Sequence, residues 1–67
     1  MQLEELTGEE RTLVVVALQA LHRERLTASN AVFTACSLAG KEQPPEEVFG
    51  LREVQDALRR MGAAPAR

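Results

Sequence analysis

Residues 9–39 contain neither glycine nor proline, and this uninterrupted stretch is the strongest constraint on the fold. Glycine and proline are the residues that most readily end a helix. Before the stretch, the sequence Thr7-Gly8-Glu9-Glu10 matches a capping box with Thr7 at the N-cap. After it comes Gly40, followed by KEQPP, which does not continue a helix easily. The sequence therefore predicts one long helix over about residues 8–39.

The weak point of this helix is the segment TASN at residues 27–30, because Thr, Ser and Asn favour caps over helix interiors. A break near 27–29 would give a monomeric three-helix bundle, which is the alternative fold. However, a stripe at spacings of 4, 3, 4, 3, 4 and 3 continues through the segment without a change of phase. Its members are Val14, Leu18, Leu21, Arg25, Ala28, Val32 and Ala35. The unbroken helix is the favoured interpretation.

A second, shorter helix is predicted over about residues 51–61. Leu51, Val54, Leu58 and Met61 are spaced by 3, 4 and 3 residues and so share one helical face. Gly62 follows as a stop signal, and residues 45–49 are expected to form a turn with Phe49 filling the junction between the helices. We expect these five apolar residues to pack back on the long helix, which makes an all-α helical hairpin.

The chain is short for a self-sufficient core. Its 67 residues predict a single small helical domain over 1–67, with residues 1–6 and 63–67 frayed. One cysteine and one histidine leave no intrachain disulfide and make a zinc site within one chain improbable. Self-association is the remaining way to increase burial in so small a chain.

Residues 13–18, LVVVAL, make the long helix apolar on several sides, and the short helix has only one apolar face to offer. A second copy of the chain is the simplest cover. We therefore expect two long helices to pack antiparallel in a dimeric four-helix arrangement. Its predicted interface is the stripe described above, with Arg25 pairing with Glu24 of the other chain.

Composition excludes several classes of protein. The net charge is −2, the N-terminus MQLEEL lacks the basic segment of a signal peptide, and the longest apolar run is six residues. About 20 apolar residues are needed to span a bilayer, so no membrane association is expected. With its single cysteine, the chain is expected to be cytoplasmic.

No catalytic, cofactor-binding or metal-binding residues are predicted, and the chain is not expected to be an enzyme. His22 and Cys36 are the only candidates for nucleophilic or metal chemistry, and on one helix they lie about 21 Å apart. His22 is expected on the surface and Cys36 as a small buried hydrophobe. The acidic pairs lie at or before helix starts, where the helix dipole accounts for them.

The sequence favours a non-enzymatic helical protein–protein interaction module, with itself or a helix of another protein as the partner. The alternative is a small nucleic-acid-binding regulator that uses Arg52, Arg59 and Arg60. Interleaved acidic residues and the absence of Tyr and Trp make nucleic acid the less favoured partner.

Overall fold

The computed structural model describes residues 2–64 and shows an all-α helical hairpin. Helix α1 spans Gly8–Ala39 and helix α2 spans Leu51–Arg60, with short 3₁₀ turns at Leu3–Glu5 and Glu46–Phe49. The molecule measures 47 × 16 × 15 Å, so the 32-residue α1, about 48 Å long, spans its whole length. The predicted long helix and returning helix are both confirmed.

Helix α1 is continuous through residues 27–30, so the alternative of a break near 27–29 is wrong. The Thr27 hydroxyl donates a hydrogen bond of 2.9 Å to the Arg23 carbonyl one turn earlier. This bond satisfies the hydroxyl inside the helix, and Thr27 does not have to act as a cap.

The start of α1 agrees with the predicted position but not with the predicted capping box. Thr7 is the N-cap residue and Gly8 the first helical residue, yet Thr7 makes no side-chain cap hydrogen bond. Gly8 has a φ of 59°, which is not helical, whereas a capping box needs helical backbone in the first turn. The Arg11 N–H donates instead to the Thr7 carbonyl at 3.3 Å.

Both helices end in the glycine motif that the sequence predicts. At Gly40, which has a φ of 67°, the Gly40 N–H donates to the Ser37 carbonyl and the Lys41 N–H donates to the Cys36 carbonyl. These two bonds form a Schellman motif, which requires a left-handed residue at the position after the helix. Gly62 ends α2 with the same pair of bonds.

The small core lies at one end of the hairpin. Leu6, Val54, Leu58 and Met61 are buried, and His22 of α1 is buried with them. Three side-chain hydrogen bonds fasten α2 and the residues after it to the N-terminal half of α1. They join Arg11 Nη2 to the Met61 carbonyl (2.6 Å), Gln19 Nε2 to the Ala64 carbonyl (3.0 Å), and the side chains of His22 and Gln55 (3.2 Å). Helix α2 thus runs antiparallel to α1 along residues 11–22.

The segment before α1 is part of this core, although the sequence predicted fraying at 1–6. Leu3–Glu5 form a 3₁₀ turn that contacts α2, and Leu6 is buried. The Arg60 guanidinium donates a 2.7 Å hydrogen bond to the Glu4 carboxylate, which ties the turn to α2. The sequence also predicts fraying at residues 63–67. Within that range, the Ala63 N–H donates to the Leu58 carbonyl. Met1 and residues 65–67 lie outside the described residues.

Candidate interaction surface

The residues predicted to pack back from α2 all face away from open solvent. Val54, Leu58 and Met61 are buried, while Phe49 and Leu51 are half-buried. Leu58 is the most completely covered residue of the structure's described part. The single apolar face of α2 is thus occupied within the chain and is not free to meet a partner.

The predicted interface stripe on α1 divides into two groups by burial. Val14, Leu18, Leu21 and Val32 are half-buried, and Arg25, Ala28 and Ala35 are exposed. The larger side chains therefore keep part of their surface open to solvent. Whether a second chain meets this stripe stays a prediction, because one chain is described.

Three exposed apolar side chains of α1 lie on the side turned away from α2. Leu13 is 70% exposed, Val16 57% and Leu38 86%. The reason is length, because the ten residues of α2 reach only about 15 Å along a helix of about 48 Å. Helix α2 therefore covers one side of the segment LVVVAL at residues 13–18, and Leu13 and Val16 remain exposed.

A second group of exposed apolar residues lies near the turn at Glu46–Phe49. Phe33 and Val48 are exposed there, and the Gln43 amide donates to the Phe33 carbonyl at 3.1 Å. Beside them is a shallow cavity of about 310 Å³, lined by Ser29, Val32, Phe33, Gln43, Pro44, Glu46 and Phe49. This group is small and interrupted by polar side chains.

His22 is buried, with 6% of its surface exposed, so the prediction of a surface histidine is wrong. Its Nε2 atom lies 3.2 Å from the Gln55 side-chain amide. The other ring nitrogen, Nδ1, is buried and has no hydrogen-bond partner among the described residues. His22 shares a helical face with Val15 and Leu18, but the sequence does not show that α2 covers this face.

The arginines of α2 lie among carboxylates. Arg60 pairs with Glu4 at 2.7 Å and Arg59 with Asp56 at 3.2 Å. Arg52 lines a cavity of about 310 Å³ together with Glu46, Glu47, Leu51, Glu53 and Gln55. The hydrogen bond from Arg60 holds the pKa of the Glu4 carboxyl below its ordinary value, so this tie weakens only as the pH falls through that lowered pKa. A surface of such mixed charge disfavours binding to phosphates.

The two candidates for chemistry are far apart. His22 and Cys36 lie on the one continuous helix α1, 14 residues or about 21 Å from each other. Cys36 is half-buried and carries a free thiol. Within residues 2–64, no three His, Cys, Asp or Glu side chains are grouped so that they could hold a metal ion.

Compared with models of protein families, with curated proteins and with solved structures, the chain matches none of them. Over residues 2–64, neither helix has both the length and the apolar character needed to cross a membrane. The apolar surface that the hairpin leaves open is the feature of the described residues that points to a function.

Proposed function

We propose that this chain is a non-enzymatic helical protein–protein interaction module that works as a homodimer. The observation that carries the proposal is the uncovered side of α1, where Leu13, Val16 and Leu38 are exposed. Burying a leucine side chain that would otherwise be exposed contributes roughly 1.5–3 kcal/mol. A partner that covered this side would gain that free energy from each chain.

The surface area of the chain supports a partner of about its own size. A compact monomer of 7.4 kDa is expected to expose about 4,200 Å². This chain exposes 5185 Å², an excess of about 1,000 Å² over that expectation. A standard protein–protein interface buries about 800 Å² on each partner, so the excess is enough for one such interface.

The shape of the chain gives the same indication. A compact domain of 67 residues has a radius of gyration of about 11 Å, whereas this chain has 14.5 Å. The difference arises because α1 extends well beyond α2. A long helix with one short partner is half of a bundle, and a second hairpin would supply the other half.

The proposed dimer has four main helices, two from each copy, with the long helices side by side. The predicted stripe belongs to this proposal: it includes Val14, Leu21, Ala28 and Ala35, all of which keep exposed surface. A helix of another protein that docked on the same side would use the same apolar contacts. The homodimer is preferred because one interface removes the excess surface of both chains.

The direct test is the mass in solution, measured by sedimentation equilibrium at several concentrations. We expect twice the 7.4 kDa chain mass at micromolar concentration. The variant Leu38→Glu places a charge on a side chain that is 86% exposed, so it should leave the hairpin folded and shift the mass to that of a monomer.

The matched control is Val48→Glu, which changes a residue that is 60% exposed but lies on the turn after α1. We expect this variant to remain dimeric. A parent chain that is a well-folded monomer at high concentration would refute the homodimer. Equal masses for the two variants would show that the uncovered side of α1 is not the interface.

A further inference from the structure

We propose that the two copies of α1 pair antiparallel through one specific face, with the two-fold axis at the level of Leu26. This face, the outer face, consists of Ala17, Leu21, Glu24, Ala28, Ala31 and Ala35. The inference rests on the proposed homodimer and adds its orientation, its face and its register. In this register, two residues from different copies lie level when their numbers add up to about 52. Ala17 of one copy, for example, lies level with Ala35 of the other.

The outer face is a continuous helical stripe on the side turned away from α2. Its members are spaced by 4, 3, 4, 3 and 4 residues, and its centre lies about 140° around the helix axis from buried His22. All of its members are exposed except Leu21, which is half-buried. Leu13 and Leu38, two of the most exposed leucines, flank its ends.

This face overlaps the stripe predicted from the sequence but is rotated away from α2. The two share Leu21, Ala28 and Ala35. Leu18 and Val32 belong to the predicted stripe only, and both are half-buried. The rotation follows from the exposed leucines, because a seam centred on the predicted stripe would leave Leu13 and Leu38 outside the contact.

The sizes of the side chains favour antiparallel pairing. Around the outer face, the N-terminal half of α1 carries Leu13, Val14 and Leu21, while the C-terminal half carries alanines at 28, 31, 35 and 39 together with Val32 and Leu38. A parallel pair would set every residue against its own copy, so that Leu13 meets Leu13, Leu21 meets Leu21 and the alanines meet alanines. Interaxial distances of about 8–10 Å depend on the side chains at the contact, so parallel helices would splay.

In the antiparallel pair, two of the large side chains lie level with small ones. Leu21 lies level with Ala31 of the second copy, and Leu13 lies level with its Ala39. Ala17 lies level with Ala35 of the second copy and Val14 with its Leu38, so large and small side chains are distributed along the whole seam. Such a distribution favours a constant distance between the two helix axes.

The position of α2 points to the same orientation. Helix α2 lies along residues 11–22 of α1, as the bonds from Arg11 to Met61 and from His22 to Gln55 show. The far end of α1, with Leu38, extends beyond it. Antiparallel pairing places the end of one copy that carries α2 beside the end of the other copy that lacks it. Parallel pairing would place the two ends without α2 together.

The charges at the centre of α1 also fit. Glu24 and Arg25 are exposed, and the described part of the chain gives neither an ion-pair partner. With the two-fold axis at the level of Leu26, Glu24 is displaced along the helix axis by about 4.5 Å from Arg25 of the second copy. Its displacement from Glu24 of the second copy is about 6 Å. Two symmetric Glu24–Arg25 pairs can form, whereas a parallel pair would set Glu24 level with Glu24.

Disulfide exchange tests the register. In a Cys36→Ala background, a chain carrying Ala17→Cys is mixed with a mass-tagged chain carrying Ala35→Cys in a glutathione redox buffer. Facing Cα atoms in a helix pair at 8–10 Å lie about 3.4–5.4 Å apart, which overlaps the range of about 4.4–6.8 Å for disulfides. We expect the mixed disulfide to exceed either homodisulfide at least tenfold.

The control pair is Arg23→Cys with Asn30→Cys, which lies nearly level in the same register but off the outer face, and we expect no enrichment of its mixed disulfide. Dominant homodisulfides at 17 and 35 would indicate parallel helices and overturn the inference while the homodimer stands. A higher yield for Leu18→Cys with Ala35→Cys would return the seam to the sequence-predicted stripe and overturn the outer face. If the parent chain and all variants sediment as monomers, the proposed function itself fails.

Discussion

His22 shows how a single residue can be buried for its shape while its polar atoms are only partly satisfied. The ring fills the space between α1 and α2, and one of its nitrogens meets the Gln55 amide. The other, Nδ1, is buried and has no hydrogen-bond partner among residues 2–64. A buried polar group without a partner costs roughly 1–3 kcal/mol, so the interface between the helices carries a local defect.

We therefore expect His22→Leu to stabilise the protein by about 1 kcal/mol, because leucine fills similar space and removes the unsatisfied Nδ1. Chemical denaturation at a fixed protein concentration measures the free energy of unfolding. The control is Gln55→Ala, which deprives Nε2 of its partner as well and should destabilise by about 1 kcal/mol. A marked loss of stability in His22→Leu would mean that the ring's polar atoms contribute more than its shape.

At the scale of the elements, the hairpin is defined by where its helices stop. Helix α1 could not continue past Gly40, because the backbone there is left-handed and the chain then meets two prolines. The stop fixes where the chain reverses, and therefore which part of α1 the returning helix reaches. The length of α1 beyond α2, and with it the open apolar surface, follows from the position of one glycine.

Replacing Gly40 with alanine should lower the free energy of unfolding by about 1–2 kcal/mol. A Cβ at this position would meet no atom within 4 Å, so the cost is the left-handed backbone, with a φ of 67°, and not a clash. Gly40→Asn is the control and should lose less, since asparagine tolerates this conformation better. Thermal unfolding followed by circular dichroism measures both losses. Equal losses of stability for the two variants would show that the left-handed backbone is not their source.

The elements could be predicted from the sequence because they depend on local chemistry. The bounds of α1, the stop at Gly62 and the apolar face of α2 each depend on residues within a few positions of one another. The burial of His22 and of Leu6 could not be predicted, because it depends on the side of α1 on which α2 docks. The capping box at Thr7 failed for a related reason, since the sequence match does not reveal the positive φ of Gly8.

At the scale of the whole molecule, the described chain is a rod with its core at one end. The buried side chains lie beside the first half of α1, whereas the second half contacts the turn at Glu46–Phe49 and extends to the exposed Leu38. The stability of such a chain should depend on what covers the open half. If a second copy covers it, then folding and association are linked, and stability becomes a function of protein concentration.

The last prediction concerns this linkage. For a dimer of two 67-residue chains that unfolds to monomers, each tenfold rise in concentration should raise the thermal midpoint by about 5 °C. Calorimetry over two decades of concentration measures the shift. Leu38→Glu should unfold at a midpoint that does not change with concentration, because a hairpin that stays monomeric is not stabilised by association. A constant midpoint for the parent chain would show that the hairpin is stable alone and that its apolar side is open to a different partner.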